Sequence, residues 1–84
     1  MTERELRDTI LRLLSRVAPE TDASAIGPDE PLQQALDIDS FDFLNFLVSV
    51  RDELHVTIDE SDYGKMRTIA EMVRFLLPRV ASKS

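Results

Sequence analysis

Cysteine and tryptophan are absent from this chain, histidine occurs once and glycine twice. Without cysteine there are neither disulfides nor thiolate metal ligands, so packing and hydrogen bonds must hold the fold. His55 as the sole histidine removes most hydrolase triads and zinc clusters. No glycine-rich phosphate loop, second nucleophile–base pair or metal-ligand cluster is present, which argues against an enzyme. No stretch approaches the length of a membrane span, and Met1-Thr2-Glu3-Arg4-Glu5 is too charged to begin a signal peptide. The expectation is a cytoplasmic, non-catalytic protein with no membrane insertion. Its 84 residues make one small domain with no room for a second core or for enclosing a large cofactor.

Basic residues are scarce in the middle of the chain. Residues 19–62 hold twelve Asp or Glu against one base, Arg51, while the overall charge is −6. That excess speaks against nucleic-acid phosphate as a partner of the central segment. It suits a partner with a basic docking surface, since complementary charge steers encounter. Acidity also keeps a small protein soluble, and charge alone does not separate the two readings.

What is present is helical periodicity. Thr2-Glu3-Arg4-Glu5 has the form of a capping box, and Leu6, Ile10, Leu11, Leu13, Leu14 and Val17 follow at helical spacing until Pro19. This predicts a helix over 3–17. From Pro19 to Asp39 periodicity lapses, and a connection that long needs a reason in a compact domain. Ile26, Leu32, Leu36 and Ile38 could pin it as a packed loop, with a single helical turn over 32–36.

A second long helix is predicted from Ser40 or Phe41 to Leu54. Its apolar residues cover more than one face. Leu44, Leu47, Val50 and Leu54 form the expected core stripe with Phe41 and Phe46 beside it, and Phe43 and Val48 fall on an exposed flank. His55 ends this helix, where an imidazole can cap carbonyls and suits the dipole. Val56-Thr57-Ile58 is too short for a sheet. Asp59 to Tyr63 reads as one helical turn, with Asp59 as cap and Gly64 as stop. Thr68-Ile69-Ala70-Glu71 is a second capping box, opening a helix that Pro78 should end, with 78–84 as a flexible tail. The fold class is therefore all-α: three longer helices and one short one in a bundle, with a long loop between the first two long helices.

Ser40 stands where the long loop meets the second long helix, between Asp39 and Asp42. It can be a helix cap in an unmodified interaction module, or a handle for something attached. A calcium loop starting at Asp37 fails, because Phe41, Asp42 and Val48 occupy the positions that need a ligand, a glycine and a glutamate.

At these residues the chain resembles the acyl carrier proteins of the phosphopantetheine-binding carrier family, over about residues 3–77. Asp39-Ser40-Phe41 matches the family's Asp-Ser-Leu. Pro28-Asp29-Glu30-Pro31-Leu32 and Leu36 match the loop before it, and Phe46, Leu47, Leu54, Ile58 and Thr68-Ile69 match the core and last helix. The resemblance implies a four-helix bundle whose Ser40 carries 4′-phosphopantetheine, placed there by a phosphopantetheinyl transferase, with Asp39 positioning Ser40 and the metal ion during transfer. It implies acyl groups held as thioesters, and partners that load, transfer or condense them, ketosynthases among them. The chain itself would be a monomer. Asp39 leans towards fatty-acid, polyketide or D-alanyl carriers and away from peptidyl carriers, which often have His there.

Phe41, Asp42, Phe43, Asn45, Val48 and Asp52 are the candidate docking residues. Asp37 stands where many members have glycine, and Asn45, Ser49 and Arg51 replace common acids. Such a thinned acidic face implies a specialised carrier with its own partner enzymes.

Overall fold

The computed structural model describes residues 2–81. Four α-helices, α1 (Glu3–Val17), α2 (Leu32–Leu36), α3 (Ser40–Leu54) and α4 (Ile69–Ala81), are joined by segments that include two 3₁₀ turns, Ala23–Ala25 and Glu60–Lys65. The described residues contain no strand, including Val56-Thr57-Ile58.

α1 begins with the reciprocal capping box its sequence announces. The Glu5 N–H donates to Thr2 Oγ1 at 3.1 Å, and the Thr2 N–H donates to Glu5 Oε1 at 2.9 Å. The bond from the Thr2 backbone holds the Glu5 carboxyl below its ordinary pKa. A depressed carboxylate pKa stabilises the fold above the unfolded-state value, and that contribution disappears as pH falls through the folded-state value. Leu6, Ile10, Leu13 and Leu14 line the buried face. The helix stops at Ala18, which Pro19 forces out of the helical region (φ −133°, ψ 74°).

The long connection is pinned at both levels. Ala23, Leu32 and Leu36 are buried, with Ile26 and Ile38 packed against the core. Two backbone bonds tie it to the start of α4: the Leu32 N–H to the Arg67 carbonyl at 2.8 Å and the Ala70 N–H to the Pro28 carbonyl at 2.9 Å. α1 packs on both α3 and α4 around Leu14, Phe46, Val50, Met66, Met72 and Leu76, each fully buried. No buried polar or charged residue interrupts this core among the described residues. An exposed ion pair, Arg12 with Glu53, links α1 to α3 and adds little at such exposure.

Three sequence expectations change. The core stripe of α3 is Phe43, Phe46, Leu47, Val50 and Leu54, so Phe43 is inside while Leu44 and Phe41 are outside. α4 does not stop at Pro78 but runs to Ala81, because Val80 still reaches the core and Arg79 folds back on Phe75. The Arg79 guanidinium lies 3.7 Å from the ring centroid and donates to the Phe75 carbonyl at 2.6 Å. The tail expected over 78–84 is thus helical through residue 81, and 82–84 lie outside the described residues. Gly64 lies within the 3₁₀ turn and does not end it, although Asp59 does stand at its start, its N–H bonded to Asp62 Oδ2 at 3.1 Å.

The two phenylalanines at opposite extremes of exposure give a direct test. Phe46→Ala is expected to lower unfolding free energy in urea by about 3–5 kcal/mol. Phe41→Ala should stay within about 0.5 kcal/mol of the parent.

Candidate functional site

The approach to Ser40 is set by a chain reversal. α2 ends at Asp37, whose backbone is left-handed (φ 53°, ψ 49°). The Ile38 N–H reaches back to the Gln33 carbonyl at 3.1 Å, and the Asp37 N–H to the Gln34 carbonyl at 3.3 Å. This 6→1 and 5→2 pair is a Schellman motif, whose left-handed position favours glycine. Aspartate is among the few other residues that tolerate it. The substitution of Asp37 for the glycine common in the resembling family thus changes the cost of the turn without removing it. His55 plays the same part after α3, with φ 54° and the Val56 N–H bonded to the Arg51 carbonyl at 3.3 Å. The backbone at His55 makes this cap, where the sequence pointed to the imidazole.

Asp39 is extended (φ −85°, ψ 178°) and caps α3: its Oδ1 accepts from the Asp42 N–H at 2.9 Å. Its carbonyl accepts from the Phe43 N–H at 3.1 Å. Ser40 is therefore the first helical residue and not the cap. Its exposed side chain makes no hydrogen bond among the described residues, so its hydroxyl has no structural duty. The N–H groups of Ser40 and Phe41 belong to the first turn, where no intrahelical carbonyl is within reach. A phosphodiester on Ser40 Oγ would sit beside those donors and the positive end of the helix dipole, with Asp39 already turned inward to its cap. The residues present fit such a group. Asp37, Asp39 and Asp42 do not converge as a metal site among the described residues.

Along the outer side of α3, Asp42, Asn45, Ser49 and Asp52 are exposed. Between them Phe41, Leu44 and Val48 form an apolar stripe, with Phe41 77% exposed and the other two 37%. Of the six docking candidates, the structure exposes Phe41, Asp42, Asn45, Val48 and Asp52 together on this side. Phe43 is not among them: it is 7% exposed, its ring 6.2 Å from that of Phe46. Leu44 takes its place. The i, i+3, i+7 spacing of 41, 44 and 48 was available as a signal, but so was a core stripe one position away.

The geometry therefore describes an all-α bundle with an exposed, unengaged Ser40 hydroxyl at the start of one of its long helices. Residues 5–76 match the family model described as the phosphopantetheine attachment site. The acyl carrier protein of Streptomyces coelicolor is 26% identical over 80 residues, covering 95% of this chain and 87% of that protein. That of Lactobacillus johnsonii is 30% identical over 76 residues, covering 90% and 94%. A solved structure of the acyl carrier protein from Enterococcus faecalis superposes with a TM-score of 0.69 at 21% identity over the full length of both, a likeness of fold. The chain belongs to the phosphopantetheine-attachment family and is an acyl-carrier-type, non-catalytic member of it. The cofactor that goes with this membership is a covalently attached 4′-phosphopantetheine.

The cap assignment separates two neighbouring residues. Asp39→Ala is expected to cost about 1 kcal/mol in chemical unfolding, whereas Ser40→Ala should change stability by less than about 0.5 kcal/mol. The reverse order would return the capping role to the serine. At the preceding turn, Asp37→Val should cost about 1–2 kcal/mol through its left-handed backbone, and Asp37→Gly should leave the fold intact.

Proposed function

We propose that Ser40 is the attachment residue, carrying the phosphopantetheine arm on which acyl groups travel as thioesters between enzymes of fatty-acid, polyketide or related biosynthesis. The observation that carries this reading is the exposed, hydrogen-bond-free Ser40 side chain at the first position of α3, with the helix cap supplied by its neighbour. Ser40 has no base beside it and needs none, because the transferase would take the Oγ proton as Oγ bonds to the pantetheine phosphorus of coenzyme A, whose pyrophosphate bond breaks to release adenosine 3′,5′-bisphosphate. Asp39 helps fix Ser40 and a divalent ion that the transferase and coenzyme A complete. The protein works in the cytoplasm as a monomeric domain over the whole chain. The rival reading, an unmodified module with Ser40 as cap, loses its main support once Asp39 holds that place.

Docking belongs to the outer side of α3. Phe41, Leu44 and Val48 supply the contact area there, with Asp42, Asn45 and Asp52 at its rim. Burial of aromatic and aliphatic anchors inside a polar rim is how small interfaces gain affinity. Because the stripe is more apolar than acidic, the partners are dedicated loading, acyl-transfer and ketosynthase-type enzymes with an apolar cleft, and the carrier is a specialised one.

Incubation with a broad-specificity phosphopantetheinyl transferase, coenzyme A and magnesium should add one phosphopantetheine by intact mass, and Ser40→Ala should add none. A folded parent that gains no mass with several transferases would defeat the carrier reading. With the holo protein, Phe41→Ala and Leu44→Ala should each lower kcat/KM of a cognate acyl-transfer enzyme roughly tenfold, equivalent to about 1.4 kcal/mol. Unaltered rates would move docking elsewhere.

A further inference from the structure

Pro31, Leu32, Gln33 and Gln34 of the loop and α2, with Phe43 and Arg67, line a cavity of about 190 Å³. Leu32 and Phe43, almost fully buried, form an apolar floor. The rim is polar: two glutamine carboxamides and a guanidinium, all exposed. Arg67 makes no ion pair among the described residues, although its carbonyl is held by the Leu32 N–H. Phe43 lies three residues beyond Ser40 on α3, so one wall of the cavity is a single helical turn from the start of that helix.

We propose that this cavity is a subsite for the distal carboxylate of a short dicarboxylic acyl group held on the arm of Ser40, an inference that rests on the carrier reading above. The planar guanidinium of Arg67 matches a carboxylate in two parallel N–H···O bonds, and the Gln33 and Gln34 amides add neutral donors. The apolar floor takes the methylene between thioester and carboxylate. Size points the same way, since 190 Å³ lies below the roughly 300–1,000 Å³ typical of sites for larger ligands. A long alkyl chain would outgrow the cavity and desolvate Arg67 without pairing it.

The test compares malonyl- and acetyl-loaded protein, both prepared from the corresponding coenzyme A thioester by a phosphopantetheinyl transferase and verified by intact mass. The two forms carry the same phosphate and arm and differ only in the carboxylate. Expected in ¹⁵N spectra are malonyl-specific shifts at Arg67 Nε–H, at the Gln33 and Gln34 side-chain amides and at the Phe43 amide. Arg67→Ala, an exposed change that keeps the backbone bond, should remove the difference, and Arg67→Lys should restore only part of it. Coincident malonyl and acetyl spectra at these positions, or a difference that survives Arg67→Ala, would overturn the subsite while leaving the carrier intact. Failure to load either group on a folded protein would remove the carrier reading and the subsite with it.

Discussion

The bond from the Asp42 N–H to the Asp39 carboxylate governs how the functional end of this molecule is organised. A helix start leaves several N–H groups without partners, and a polar side chain just outside the helix normally answers one of them. Two residues in Asp39-Ser40 are chemically able to do so. Because the carboxylate takes the task, the hydroxyl is left exposed on the helix proper, one residue further along. For Asp39 to reach its place the chain must arrive extended, and it does so only after reversing through the left-handed Asp37 and anchoring Ile38 against the core. Cap, reversal and anchor thus act together on the direction in which Ser40 is presented.

The long connection becomes intelligible in the same terms. It spends its length crossing the bundle, burying Ala23, Leu32 and Leu36 on the way and bonding to the opening of α4 at two backbone positions. It therefore belongs to the scaffold that leads into α3 and Ser40, and it also supplies most of the lining of the cavity against Phe43. The apolar stripe runs down the exterior of α3, while the cavity lies where its inner residue Phe43 meets the loop. A single helix thereby carries the exposed Ser40 hydroxyl, an outer apolar stripe and one wall of the cavity.

Much of this was legible in the sequence because local chemistry and global fold agree there. The capping box at Thr2 forms in full, and at Thr68 the hydroxyl half of the second one is present, with the Glu71 N–H on Thr68 Oγ1 at 3.1 Å. The α1 face and the α3 boundaries follow from spacing and from the polar-to-apolar junction at Ser40. The rotational phase of α3 did not follow, because its apolar residues surround the axis and two stripes share Leu47, Val50 and Leu54. Tertiary packing chose the stripe that buries the Phe43 ring beside Phe46, and larger apolar area removed from water decides such contests. Likewise Pro78 is a strong local stop, and only the distant core contacted by Val80 reveals why α4 continues past it. The free hydroxyl of Ser40 was legible as a position, but its release from capping depended on a cap geometry that composition does not contain.

The apolar stripe on α3 has a colloidal consequence. A side chain as open as Phe41, with Leu44 and Val48 aligned behind it, would by itself draw copies of the protein together. The net charge of −6 at neutral pH opposes that approach through mutual repulsion, and so keeps the stripe open in dilute solution. Near the sequence pI of about 4.6 the repulsion vanishes. Mild acid then becomes the condition in which the exposed stripe of one copy can pack against that of another.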